Sequence, residues 1–96
     1  MPRGTLERIR TAIRTAVYDM TAHAVEEMAE DRLELIDVET AMLNGRLIKT
    51  ERDEPRGTRY TVHGTGADQT TPVGAVGRFT ETGRYLIITV FKVTEP

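Results

Sequence analysis

Tyr85-Leu86-Ile87-Ile88-Thr89-Val90-Phe91-Lys92-Val93 is the most apolar run in the chain, and it reads as a strand. Strict alternation puts Leu86, Ile88 and Val90 on one side. Tyr85, Ile87 and Phe91, with Thr89 among them, fall on the other. A strand apolar on both sides is expected at the centre of a sheet covered on both faces. Working back along the chain, Glu81-Thr82-Gly83 is a hairpin turn. It joins this strand to another at Val73–Phe79, where Gly74 and Gly77 mark a bulge or a close approach by other atoms. Thr65 to Pro72 is a polar loop. Arg59–Gly64 is a further strand, with Tyr60 and Val62 pointing to the core and Arg59, Thr61 and His63 pointing away. Residues 53–57 form a turn, and Leu47–Glu51 is the first strand of the series.

Before Asn44-Gly45 the period changes from two to three and four. Leu6, Ile9, Ile13, Ala16 and Val17 make one helix face behind Thr5 as N-cap, with arginines opposite. Tyr18-Asp19-Met20 interrupts the pattern. Thr21 caps a second helix reaching about Asp31, with Ala24 and Met28 inward. Leu33 and Leu35 lie in the connection. A third helix covers Ile36–Leu43 with Val38, Ala41 and Met42 inward, and Gly45 ends it in a left-handed conformation. The order predicts an α+β fold: two to three N-terminal helices packed on a four-stranded antiparallel sheet. At 96 residues, the chain is expected to be a single domain, 1–96.

The net charge of −2 conceals three segments of different sign. Residues 3–14 carry four arginines against Glu7, and residues 19–39 carry eight carboxylates against Arg32. Residues 46–92 carry eight basic side chains against five acidic ones. Only the last segment could offer a basic face to a nucleic acid; the middle would attract a basic partner. The chain has no cysteine, which excludes disulfides and thiolate metal sites and fits a cytoplasmic location. No run approaches the roughly 20 apolar residues of a membrane span, so no membrane partner is expected.

Several fragments stand in a specific order: Thr21-x-His23-Ala24-x-x-Glu27-Met28-x-x-Asp31, Asp37-Val38-x-x-Ala41-x-x-x-Gly45-x-Leu47-Ile48, Arg52-Asp53, Arg59-Tyr60-x-Val62-x-Gly64, Val76-Gly77 and Ile87-Ile88-Thr89-Val90-Phe91. Together they resemble domain-of-unknown-function family 4258, small bacterial and archaeal proteins, over about residues 6–93. The resemblance implies a fold similar to RelE-like and barnase-like ribonuclease toxins. Glu27 and Asp31, where many members carry arginine, look like an acidic subgroup found beside small zinc-finger antitoxin-type proteins. Phe91 stands where members often have tyrosine, so a hydroxyl there is lost.

That resemblance frames the chemical question as RNA cleavage without a metal. Such cleavage needs a base for the ribose 2′-OH, an acid for the leaving oxygen and a cation for the phosphorane charge. Histidine suits the first two roles and arginine the third. His63 and Arg59 share a sheet face with Thr61 between them, and form the first candidate cluster. His23, in the first turn after Thr21, is the second acid/base candidate; it could equally hydrogen-bond a carboxylate and fix the helix to the sheet. Thr89 is a minor polar contact. Lys92 and Arg84 would extend a basic surface around Arg59, or act as charges guarding strand edges.

His23, Glu26 and Glu27 have helical metal-ligand spacing, but only His63 could add an imidazole. The carboxylate run reads more simply as a solvated face or a docking patch. Gly64-Thr65-Gly66 lacks the features of a phosphate loop, and no cofactor is expected. The functional expectation is an RNase-like toxin component. The alternative is a non-catalytic protein-binding or self-associating module of the same fold.

Overall fold

The computed structural model describes residues 4–53, 55 and 57–94. The apolar series from Leu6 forms α1 (Thr5–Arg14), which buries Ile9, Ala12 and Ile13. Its N-cap is Gly4 rather than Thr5, and it stops before Ala16. Ala16 takes φ 59°, its N–H bonds to Ile13 O at 3.2 Å, and the Val17 N–H bonds to Ala12 O at 2.8 Å. This pair of bonds is a Schellman ending built without glycine. α2 (Ala22–Glu30) starts as expected, with Thr21 Oγ1 accepting the Ala24 N–H at 3.1 Å. It ends the same way as α1, with Arg32 at φ 56°. α3 (Leu35–Asn44) buries Val38, Ala41 and Met42 behind a Glu34/Asp37 capping box. Gly45, which follows it, is extended at φ −85° and not left-handed. The space left by its missing side chain is what matters: a Cβ there would run into the carbonyl oxygens of His63 and Ala41.

The interruption at Tyr18–Met20 is a strand, β1, running parallel to β5 (Tyr85–Lys92). With β2 (Arg46–Asp53), β3 (Gly57–Thr65) and β4 (Pro72–Phe79) the sheet is five-stranded and mixed, in the order β1-β5-β4-β3-β2. The β2–β5 pairings are antiparallel as expected; the fifth, parallel strand is the correction. Three residues are too few to show a period, and their pairing partner lies more than sixty positions away. Arg84 clamps this edge by donating to Asp19 Oδ2 at 2.7 Å and to Tyr18 O at 3.2 Å. The turn expected at 53–57 includes Glu54 and Arg56, which lie outside the described residues.

One face of the sheet carries the core. Val62, Val73, Ala75, Tyr85, Ile87 and Val90 are buried there beneath α1 and α3, and Ala24 joins them from α2. Tyr60 packs against this cluster, edge-on to Phe79. β5 departs from strict alternation. Gly77 pairs with Ile87 but Val76 pairs with Thr89, so Ile88 is an extra, bulged residue. Past the bulge the phase inverts. Val90 turns into the core with Tyr85 and Ile87, while Thr89 and Phe91 join Leu86 on the opposite face. The slip moves Val90 to the core side, while Leu86 and Phe91 keep β5 apolar on its other side as well. β4, not β5, is central, and among the described residues α1 and α3 pack on the core face.

Candidate functional site

The uncovered face of the sheet gathers most of the chemistry-bearing side chains. Cross-strand partners share a face, so the register can be read as rows. His63 on β3 pairs with Arg46 on β2 and Gly74 on β4, and Gly74 pairs with Phe91 on β5. Thr61 pairs with Lys49 and Val76, and Val76 pairs with Thr89. Arg59 pairs with Glu51, and Arg78 with Leu86. Arg59, Thr61, His63, Thr89 and Phe91 are all half-buried.

The bulge at Ile88 brings Thr89 and Phe91 to this face. Under uninterrupted alternation both would have pointed with Tyr85 into the core. The Phe91 ring then leans across β4, and a Cβ on Gly74 would collide with its tip. The ring meets His63 edge-on, with centroids 5.7 Å apart and planes at 82°. A side chain at position 74 would therefore force the Phe91 ring to shift.

Arg59 reaches Glu51 Oε1 at 4.0 Å and stays half-exposed. In high dielectric such a contact is weak. Arg46, Lys49 and Arg78 supply further positive charge on the same face. Sequence reasoning overlooked them, although simple alternation from His63 and Val76 would have found Arg78. The expected extension by Arg84 does not occur, because Arg84 is held by Asp19 at the opposite edge. Lys92 pairs with Val73 at the strand end, away from the Arg59 row.

His23 sits elsewhere. It lies on α2, two-thirds exposed, with Nε2 3.4 Å from Glu27 Oε1. The strands β4 and β5 separate it from β3, roughly 10 Å of sheet width before the helix is reached. The two imidazoles are thus not brought together.

The carboxylates of α2 have a role that the sequence reading missed. Beyond Thr21, β5 has no strand on its outer side, and α2 occupies that position. Thr21 Oγ1 donates to Ile88 O at 3.0 Å. Glu27 Oε1 accepts the Val90 N–H at 3.0 Å, and Asp31 Oδ2 accepts the Lys92 N–H at 3.1 Å. Glu27 and Asp31 are therefore not part of a solvated run; they satisfy the strand edge. Glu26 and Glu30 remain exposed on the outer face, beside Val25. Among the described residues, no three His, Asp or Glu side chains converge as a metal-ligand set.

A cleft of about 280 Å³ on the helix side is lined by Arg8, Thr11, Val17, Phe79 and Gly83, remote from His63. The Arg8 guanidinium stacks 4.3 Å above the Phe79 ring. No helix among the described residues is long and apolar enough to cross a membrane.

Neither a curated protein nor a solved structure shows significant similarity to the chain. A family model does match, over residues 20–92, from the first edge strand through the bulge and the ring above Gly74. The chain belongs to the family described as domain of unknown function DUF4258.

Proposed function

We propose that the uncovered sheet face binds RNA and cleaves it without a metal, as the RelE-like toxin component of a bacterial toxin–antitoxin pair. The observation that carries the reading is the meeting of His63, Arg59 and Thr61 on one half-buried sheet face with Arg46, Lys49, Arg78 and Thr89 around them. His63 takes the proton from a ribose 2′-OH. The 2′ oxygen forms a bond to the adjacent phosphorus and the bond to the 5′ oxygen breaks, with water supplying that oxygen's proton. The products are a 2′,3′-cyclic phosphate and a 5′-hydroxyl end. Arg59 binds the non-bridging oxygens, where charge builds up in the transition state.

The test is incubation of purified protein with single-stranded RNA in EDTA. Wild type is expected to cut the RNA. His63→Ala is expected to lose about 10²- to 10⁴-fold in rate, and Arg59→Ala to be similarly impaired. His23→Ala, on the far side of β5, is expected to retain cleavage. If wild type and His63→Ala leave the RNA equally intact, the enzymatic reading fails.

The outer face of α2 supports a second, non-catalytic role. With Glu27 and Asp31 engaged on β5, Glu26 and Glu30 are left exposed on α2, which also exposes Val25. This acidic, partly apolar stripe suits a basic partner such as a small zinc-finger antitoxin-type protein. In the alternative reading, that docking is the whole function.

A further inference from the structure

We infer that Phe91 is a stacking platform for an unpaired nucleobase, so that the substrate of this face is a single strand with one base laid against the ring beside His63. The inference rests on the RNA reading above and goes further by naming how the strand is held. Phe91 is half-buried rather than enclosed. Its ring tip lies over Gly74, a position where any side chain would obstruct it. The ring meets His63 with the two planes at 82°, a contact that steadies it. An aromatic ring on the sheet face opposite the core, half-exposed beside cations, is placed to meet a planar ligand.

The surroundings fit the remainder of a nucleotide. Arg46 is the cross-strand partner of His63, and Lys49 that of Thr61, so cations continue the rows that begin at Phe91 and Thr89. Glu51 on this face pairs with Lys49 at 3.6 Å as well as with Arg59 at 4.0 Å, Asp19 at the far margin is held by Arg84, and Glu27 and Asp31 are engaged by the Val90 and Lys92 amides, which leaves Arg46 and Arg78 as the further cations. A base on Phe91 would thus have its phosphates directed toward positive charge. A paired base offers no free face to such a ring, which selects single strands.

The probe is an all-deoxy single-stranded octamer carrying one central 2-aminopurine, which lacks the 2′-OH and cannot be cleaved by the proposed route. Binding to wild type is expected to quench the 2-aminopurine, and the same sequence in a duplex should bind more weakly. Phe91→Ala is expected to abolish the quench and weaken binding about 5- to 150-fold. Phe91→Leu, which preserves bulk for folding, should lose the quench as well, whereas Phe91→Trp should keep it. Equal quench and affinity in wild type and Phe91→Leu would overturn the platform, as would equal affinity for the duplex. Cleavage of RNA in EDTA is read separately. RNA cut by wild type and by Phe91→Leu at the same rate removes the platform and leaves the ribonuclease reading standing.

Discussion

Tyr85 is wholly buried, and its hydroxyl has no hydrogen-bond partner among the described residues. The ring fills the space above Gly77 and lies edge-on to Phe79 at 5.0 Å, so packing keeps it in place at the expense of an unsatisfied polar atom. Tyr85→Phe removes that atom and keeps the ring. It is expected to stabilise the fold by about 1 kcal/mol, a rise in Tm of about 4–8 °C. Burial, and then the neighbouring Tyr60, push the Tyr85 hydroxyl well above the usual tyrosine range. Tyr18 is raised too, by burial and by its 2.6 Å hydrogen bond to Glu39. A group raised in the fold stabilises it up to its unfolded value, about pH 10 for tyrosine, and that stability declines as pH climbs further. Urea titrations between pH 8 and 11.5 should show this alkaline decline, shallower in Tyr85→Phe. An identical decline in both proteins would mean that Tyr85 is not its source.

At the scale of elements, α2 acts as a substitute for a strand. Its side-chain carboxylates accept the amide protons that a sixth strand would have taken from β5. Glu27→Ala leaves the Val90 N–H without an acceptor and should cost about 1–3 kcal/mol. Glu27→Gln keeps an acceptor oxygen and should cost less, a ranking that urea denaturation can check. Equal losses would show that charge, not hydrogen bonding, is what counts there. The helices themselves were legible because each buries one stripe at helical spacing, and Thr21 announced α2 as a cap. Their ends were not. α1 and α2 close through left-handed Ala16 and Arg32, residues that carry no sequence signal for that conformation, while Gly45 was read for a backbone freedom it does not use. β1 escaped notice because a three-residue parallel pairing exists only once Tyr85–Ile87 is beside it. The bulge at Ile88 was equally hidden, since the run around it is apolar at every position but Thr89, and an inserted residue leaves no gap in such a pattern. The Arg59–Thr61–His63 column could be read from alternation alone. Its completion by Thr89 and Phe91 required the bulge.

For the molecule as a whole, charge is divided by surface. Arg46, Lys49, Arg59 and Arg78 lie on the bare sheet face, and Glu26 and Glu30 on the outer side of the helix that borders it. An acidic midsection in the sequence could not tell which carboxylates were free. The structure commits Glu27, Asp31, Asp37 and Glu39 to internal bonds and leaves a smaller patch. If that patch receives a basic partner as proposed, Glu26→Lys with Glu30→Lys should abolish co-purification with a co-expressed neighbouring zinc-finger protein. The same double variant should leave RNA cleavage in EDTA intact. Retained co-purification would move the partner's contact to another surface.

With α2 lying along one margin of the sheet, the opposite margin at β2 is where an incoming extended peptide could hydrogen-bond to the backbone. A segment adding itself there would run alongside Arg46 and Lys49. If the cationic face takes RNA as proposed, lengthening the sheet from outside would crowd that face from its β2 side, and a peptide could then compete with a nucleic acid.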